Sequence, residues 1–187
     1  MTDFSILPMK AQTRLAQISD VVSGVVPIET RLWKIQTQFL AEGGQEPGIV
    51  SEVKEWFEKR CLYLYTFQIA SENIDPSILV SAYSHAKETK KGSRAYARLN
   101  PASANQASTC MYVGSSEKIH QRLKDHLGFG AKEIFAIHLA YWASSIGIEL
   151  NFECAKYPTG TSKIALQALE DTLWEELLPI FGRQGAR

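Results

Sequence analysis

Tyr112-Val113-Gly114-Ser115-Ser116, with Arg122 ten positions after the tyrosine and His126 four further on, is the stretch from which the rest of this chain is read. Its first residues favour extended backbone, and the Gly-Ser-Ser that follows is how a strand stops and a helix is capped. The helix then carries Arg122 and His126 at i and i+4, on one face. Ile119, Leu123 and Leu127 define its buried stripe. His126 falls on the near edge of that stripe and Arg122 one step further out, while Lys124 and Asp125 face elsewhere. One short unit gathers a phenol, a guanidinium and an imidazole.

Working outward, Cys61 to Ile69 is dense in aromatic and aliphatic residues and reads as a strand, and residues 109 to 114 form a second. Between them lie about forty residues, a length that in a compact domain marks either a functional or a disordered loop. Ile148, Leu150, Phe152 and Cys154 alternate with Glu149, Asn151 and Glu153, the pattern of a third, half-exposed strand. Residues 132 to 142 read as a helix after Gly128 and Gly130. Thr161 or Ser162 caps a last helix running to about Leu178, ended by Pro179 and Gly182. Upstream, residues 9 to 42 read as one or two amphipathic helices, with Leu15, Ile18 and Val22, then Ile28, Leu32 and Ile35, at helical spacing and a break near Ser23-Gly24 and Pro27. A loop over 42–48 precedes a helix with Ile49, Val53, Trp56 and Phe57 on one side. The expectation is an α+β fold: a small three-stranded mixed or antiparallel sheet flanked by helices. An N-terminal helical extension would occupy 1–59, and the second domain 60–187, with a basic insertion at about 70–108.

With 187 residues, 45% of them hydrophobic, the chain can bury one real core. No run approaches the roughly eighteen apolar residues of a membrane helix. The N-terminus has no apolar secretory core, so a cytoplasmic location is expected. Cys61, Cys110 and Cys154 show no CxxC or Cys/His metal spacing and read as reduced core thiols. The net charge is zero, but its distribution is uneven. Lys87, Lys90, Lys91, Arg94 and Arg98 stand against the single acid Glu88 in residues 85–98, whereas Asp171, Glu175 and Glu176 gather around Glu170. That contrast suits a polyanion held beside a cation site, and it also fits ordinary surface variation.

Glu170 is the sharpest single residue. Leu166, Leu173 and Leu177 cluster on one arc of the last helix, and Glu170 lies within that arc with Trp174 on its other side. A carboxylate on an apolar face is costly unless it is paired or bound to a metal. An ion pair with a nearby Arg or Lys satisfies the same pattern.

Tyr112, Val113 and Gly114, with the steps to Arg122 and His126, resemble the GIY-YIG nuclease family. Cys61-Leu62-Tyr63 is similar to that family's Gly-Ile-Tyr motif, and Glu170 matches its metal-binding glutamate. The resemblance covers about residues 60 to 187 in discontinuous blocks. It implies a metal-dependent endonuclease that hydrolyses DNA phosphodiesters, RNA not being excluded, with Mg²⁺ or Mn²⁺ on Glu170. Tyr63, with Tyr112, would activate the water, Arg122 would hold the phosphate, and His126 would assist proton movement. Tyr65 shares a strand face with Tyr63, so either could be the phenol of that first motif; Leu62-Tyr63 fits the Ile-Tyr pattern better, and Tyr65 reads as packing. Many relatives place an asparagine near the position of Pro179; here Gln184 is the available amide donor. Lys87, Lys90, Lys91, Arg94 and Arg98 are candidate phosphate contacts, with Tyr83 or Tyr96 available to pack on sugar or base. No membrane partner is expected, and a homo-oligomer is compatible with the sequence. The rival expectation keeps the fold without strong activity, as a nucleic-acid-binding or interaction protein.

Overall fold

The strand expected from Cys61 runs from Leu62 to Ile69, inside the sheet of a computed structural model that describes residues 7–71, 74–100 and 108–185. The elements in chain order are α1 (Leu7–Ser23), β1 (Glu29–Gln36), α2 (Gly48–Trp56), β2 (Leu62–Ile69), α3 (Pro76–Glu88), β3 (Cys110–Ser116), α4 (Ile119–Leu127), β4 (Glu149–Tyr157) and α5 (Lys163–Leu177). The class is α+β. The sheet has four strands, ordered β1-β4-β2-β3, and every neighbouring pair is antiparallel. Leu62 to Phe67 are all buried because β2 is flanked by strands on both sides and covered on both faces.

The fourth strand corrects the helix expected over Ile28, Leu32 and Ile35. Those residues fit a helical spacing, but Glu29–Gln36 pairs residue for residue with β4, from Glu29 opposite Lys156 to Gln36 opposite Glu149. The period that prevails is two. Trp33 and Ile35 turn inward, Trp33 meeting Trp56 at 5.3 Å and Phe152 at 5.7 Å between ring centroids. Leu32 faces out and stays 54% exposed. The sheet and its core thus include residues from both sides of position 60, since Val50, Val53 and Trp56 of α2 are buried in the same cluster as Tyr63, Tyr65 and Phe67.

On that face, Ile119, Leu123 and Leu127 of α4 complete the cover, as their spacing predicts. On the other face Leu62, Leu64 and Tyr157 meet Leu166 of α5, with Leu169 and Leu173 alongside. Ser162 caps α5 by accepting a hydrogen bond from the Ile164 N–H. Leu178, at a left-handed φ of 47°, ends it. The chain then runs beside the first half of β3, Ile180 and Phe181 donating N–H groups to the carbonyls of Cys110 and Met111 (both 2.9 Å). The rest of that edge strand, from Tyr112 to Ser116, carries the candidate site residues Tyr112 and Ser115.

Two further expectations are corrected. The insertion is not a long loop: Asp75 caps α3 by accepting the Ser77 N–H at 2.8 Å, Pro76 opens it, and Leu79, Tyr83 and Ala86 are buried at helical spacing. Residues 101–107, which hold most of the polar stretch from Asn100 to Gln106, lie outside the described residues. Residues 132–142 form no α-helix. Ala136 instead makes a parallel bridge to Tyr96, and a single 3₁₀ turn covers Leu139–Tyr141. The three cysteines are free and buried. Burial pushes the Cys110 thiol up to about 12 and Cys154 further still, so both are inert at neutral pH. No helix among the described residues is long and apolar enough to cross a membrane.

Beside the parallel bridge lies a buried histidine. His138, at a φ of 50°, is fully buried, and its Nε2 lies 3.0 Å from the Ala95 carbonyl, to which it must donate. Burial holds this imidazole down to about 4, and burial holds His126 well below its usual value too. A depressed histidine contributes stability that is intact above its unfolded value of about 6.5 and is lost as pH falls toward the folded value. Acidification from pH ~6.5 to ~4 is therefore expected to remove about 3 kcal/mol through His138 alone. In His138→Asn, which tolerates the left-handed backbone, the fall of melting temperature across that window should be shallower. An unchanged slope would show that His138 does not titrate with unfolding.

Candidate active site

In the antiparallel register of β2 and β3, Tyr65 stands opposite Gly114 and Phe67 opposite Tyr112, so both tyrosines project from one face. Their rings are nearly parallel, 13° apart with centroids at 6.1 Å. Gly114 is what allows it. A Cβ there would lie 2.7 Å from the Tyr65 hydroxyl and 2.8 Å from the Tyr112 ring.

α4 starts three residues after β3 and brings its side chains over this pair. Arg122 forks: Nε donates to the Tyr65 oxygen at 3.1 Å and Nη2 to the Tyr112 oxygen at 3.0 Å. His126 Nε2 sits 3.0 Å from the same Tyr65 oxygen, while its Nδ1 accepts the Ile137 N–H at 3.4 Å. That acceptor role fixes the proton of the neutral ring on Nε2, so the imidazole donates to Tyr65. The Tyr65 oxygen therefore receives two N–H groups.

The electrostatics divide the roles. Burial raises the Tyr65 phenol, against the opposing pull of Arg122. Its fully buried position makes it a brace rather than a proton carrier. For Arg122 burial disfavours the charge, but the two phenol oxygens outweigh that and keep the guanidinium firmly protonated. Burial first, then the charge of Arg122, hold His126 neutral. With both ring nitrogens engaged and no exposed surface, His126 positions Tyr65, and the proton-moving role expected of it has no path to solvent. Tyr112 is the half-exposed phenol of the set.

Glu170 comes from α5. Its Oε2 accepts the Ser115 hydroxyl at 2.5 Å, and its charge reaches far enough to oppose ionisation of Tyr65. Ser115 points to the opposite side of β3 from Gly114, so the carboxylate and the phenols flank the open end of this edge strand. Leu166 is buried beside it and Leu173 and Trp174 are half-buried, as the helical arc implies. Among the described residues no three His, Cys, Asp or Glu side chains form a metal-holding group. Glu170 and Ser115 offer oxygen donors, the kind that a hard divalent cation takes alongside water.

Other expected site residues lie elsewhere. Tyr63 is corrected: its oxygen accepts the Glu58 N–H at 2.7 Å and its hydroxyl donates to the Glu58 carbonyl at 3.2 Å. Burial pushes that phenol up to about 12. Tyr63 pairs across from Ser116, and Arg122 donates instead to Tyr65, two residues along the same strand face. Gln184 donates to Glu175 at 2.8 Å on an exposed surface and does not join the cluster. The amide beside Pro179 is Asn100, whose Nδ2 donates to the Pro179 carbonyl at 2.9 Å. Lys90, Lys91 and Arg98 are exposed. Lys87 donates to the Ala97 carbonyl at 3.0 Å, and Arg94 donates to Gly130 at 3.0 Å while lying 4.6 Å over the Tyr141 ring. Tyr83 and Tyr96 are buried and have no face to offer a base. Sequence reasoning missed Ser115 as a partner of Glu170; the signal for Tyr65 was present in its shared face with Tyr63.

No protein-family model matches this chain, and neither does any curated protein or solved structure with which it was compared.

Proposed function

We propose that the protein is a metal-dependent endonuclease that hydrolyses DNA phosphodiester bonds in the manner of the GIY-YIG enzymes its motif resembles. The observation that supports this reading best is the Arg122 fork. Residues from β2, β3 and α4 converge on one guanidinium, with the α5 carboxylate across the strand edge. Tyr112, whose oxygen Arg122 orients, acts as the base in its phenolate form, its own proton having left to solvent from this half-exposed position. It takes a proton from the water as that water's oxygen bonds to phosphorus and the P–O bond to the leaving oxygen breaks. The remaining N–H groups of Arg122 neutralise a non-bridging phosphate oxygen as charge grows there. Tyr65 and His126 hold Arg122 and exclude water behind it. Glu170, with Ser115, would hold Mg²⁺ or Mn²⁺, which when bound supplies charge stabilisation to the leaving oxygen.

Incubating the full chain with plasmid in Mg²⁺ and in EDTA tests the reading. Wild type is expected to nick only with metal. Tyr112→Phe should slow cleavage by ~10²-fold with binding within a few-fold of wild type, whereas Tyr63→Phe should cleave nearly normally. No metal-dependent nicking, or equal losses in the two variants, would remove the proposed site.

A further inference from the structure

Two residues beyond Ser115 the surface opens into a groove of ≈ 410 Å³. Lys59 and Arg60, from the α2–β2 connection, line it together with Lys118 before α4 and Lys163 at the start of α5. Glu117 is the one carboxylate among the lining residues, and it pairs with Lys163. All four cations are exposed. Three separate segments thus bring like charges together with too few carboxylates to offset them. Arg60 takes a φ of 77°, a left-handed backbone that costs an arginine energy and marks a position the fold holds against local preference. The field is felt inside the protein as well. His120, whose ring stacks edge-on against Phe57 of the groove at 4.7 Å, is held below its usual value by burial and then by Lys54 and Lys118.

The groove is in line with the candidate active site. Lys163 and Glu170 are seven residues apart on α5, so they share a face and lie two turns, ~10 Å, from each other. A strand of nucleic acid advances ~3.4 Å per nucleotide along the helix axis, so that step is about three nucleotides. The cleft between β1 and α2 has the opposite balance: Glu29, Glu52, Glu55 and Glu58 line it against Arg31 and Lys156, which pair with Glu29 and Glu58, so acids are in excess there. We infer that the Lys59–Arg60–Lys118–Lys163 groove holds the backbone phosphates of the substrate strand about three nucleotides from the bond to be cut. The inference rests on the proposed endonuclease reading for its direction. It moves the main phosphate contact away from residues 85–98, where Lys87 and Arg94 already serve the fold.

The test is binding of a short labelled duplex in EDTA, measured by fluorescence anisotropy across a salt series, with DNA and RNA duplexes of one sequence as separate arms. The Lys59→Gln, Arg60→Gln, Lys118→Gln triple variant should lose at least ~30-fold in affinity, and its log–log salt slope should fall by about 2 to 3. A matched Lys87→Gln, Lys90→Gln, Lys91→Gln variant should change by less than a few-fold. Thermal melting confirms that the exposed substitutions leave the fold intact, and Lys118→Glu alone should weaken binding in the same direction. The arm with the larger loss identifies the strand chemistry. A groove triple that binds like wild type, with an unchanged slope, overturns the inference even if wild type cleaves. If wild type binds and the triple does not, but neither cuts with Mg²⁺, the groove stands and the enzymatic reading falls. If wild type binds neither duplex, both fall.

Discussion

Arg122→Lys is expected to cleave DNA at least about 10³-fold more slowly than wild type, because one side chain performs three tasks that an ammonium cannot combine. It donates Nε to Tyr65 and Nη2 to Tyr112, and its remaining N–H groups are the proposed phosphate donors. A lysine reaches one of these partners at a time. Groups that act as a unit are lost together, so the effect should exceed that of either phenol variant and should not be the product of the two. Stability should fall as well, since the buried Tyr65 oxygen loses one of its two donors, at a cost of about 1–3 kcal/mol. For a chain of this length that is several degrees in melting temperature. Single-turnover cleavage at a temperature well below the transition separates the two effects. Cleavage within tenfold of wild type would mean that the fork is only a structural brace.

How much of this was legible in the sequence depends on which residues carried a period. The stripe Ile119, Leu123, Leu127 fixed α4, the alternation from Ile148 to Cys154 fixed β4, and Ser162 marked the start of α5. β1 was hidden because Ile28, Leu32 and Ile35 satisfy a helical spacing. Trp33 and Ile35 at a step of two carried the competing signal, and only pairing with β4 decided between them. Residues 132–142 misled by apolar density without a period: Phe135 is 69% exposed and Ile134 41% exposed. α3 had a readable stripe in Leu79, Tyr83 and Ala86, masked by the basic composition around it. At the site, the sequence placed Arg122, Tyr112 and Glu170 in one neighbourhood. It could not choose between Tyr63 and Tyr65, which share a strand face. That choice belongs to register, which sets Gly114 opposite Tyr65 and Ser116 opposite Tyr63.

Gly114→Ala tests that register argument, and its effect should be nearly as large. The added methyl would sit 2.7 Å from the Tyr65 hydroxyl, 2.9 Å from that ring's Cζ and 2.8 Å from Tyr112 Cε1. Tyr65 cannot retreat, because Phe67, Phe152 and the His126 ring surround it at centroid distances of 6.1, 5.9 and 5.7 Å. Tyr112 is half-exposed and can yield, but moving it breaks the 3.0 Å bond from Arg122. Overpacking of this kind costs about 1–3 kcal/mol, and the loss of cleavage should be larger than stability explains, at least ~10²-fold well below the transition. A double-mutant cycle locates the cause. Tyr65→Phe removes the atom nearest the new methyl, so Gly114→Ala should cost less stability in that background, with a coupling of roughly 0.5–3 kcal/mol. Activity should not return, since the Arg122–Tyr65 bond is then missing. Equal costs in both backgrounds, together with normal cleavage by Gly114→Ala alone, would show that the glycine serves the strand and that the phenol pair is not part of the catalytic geometry.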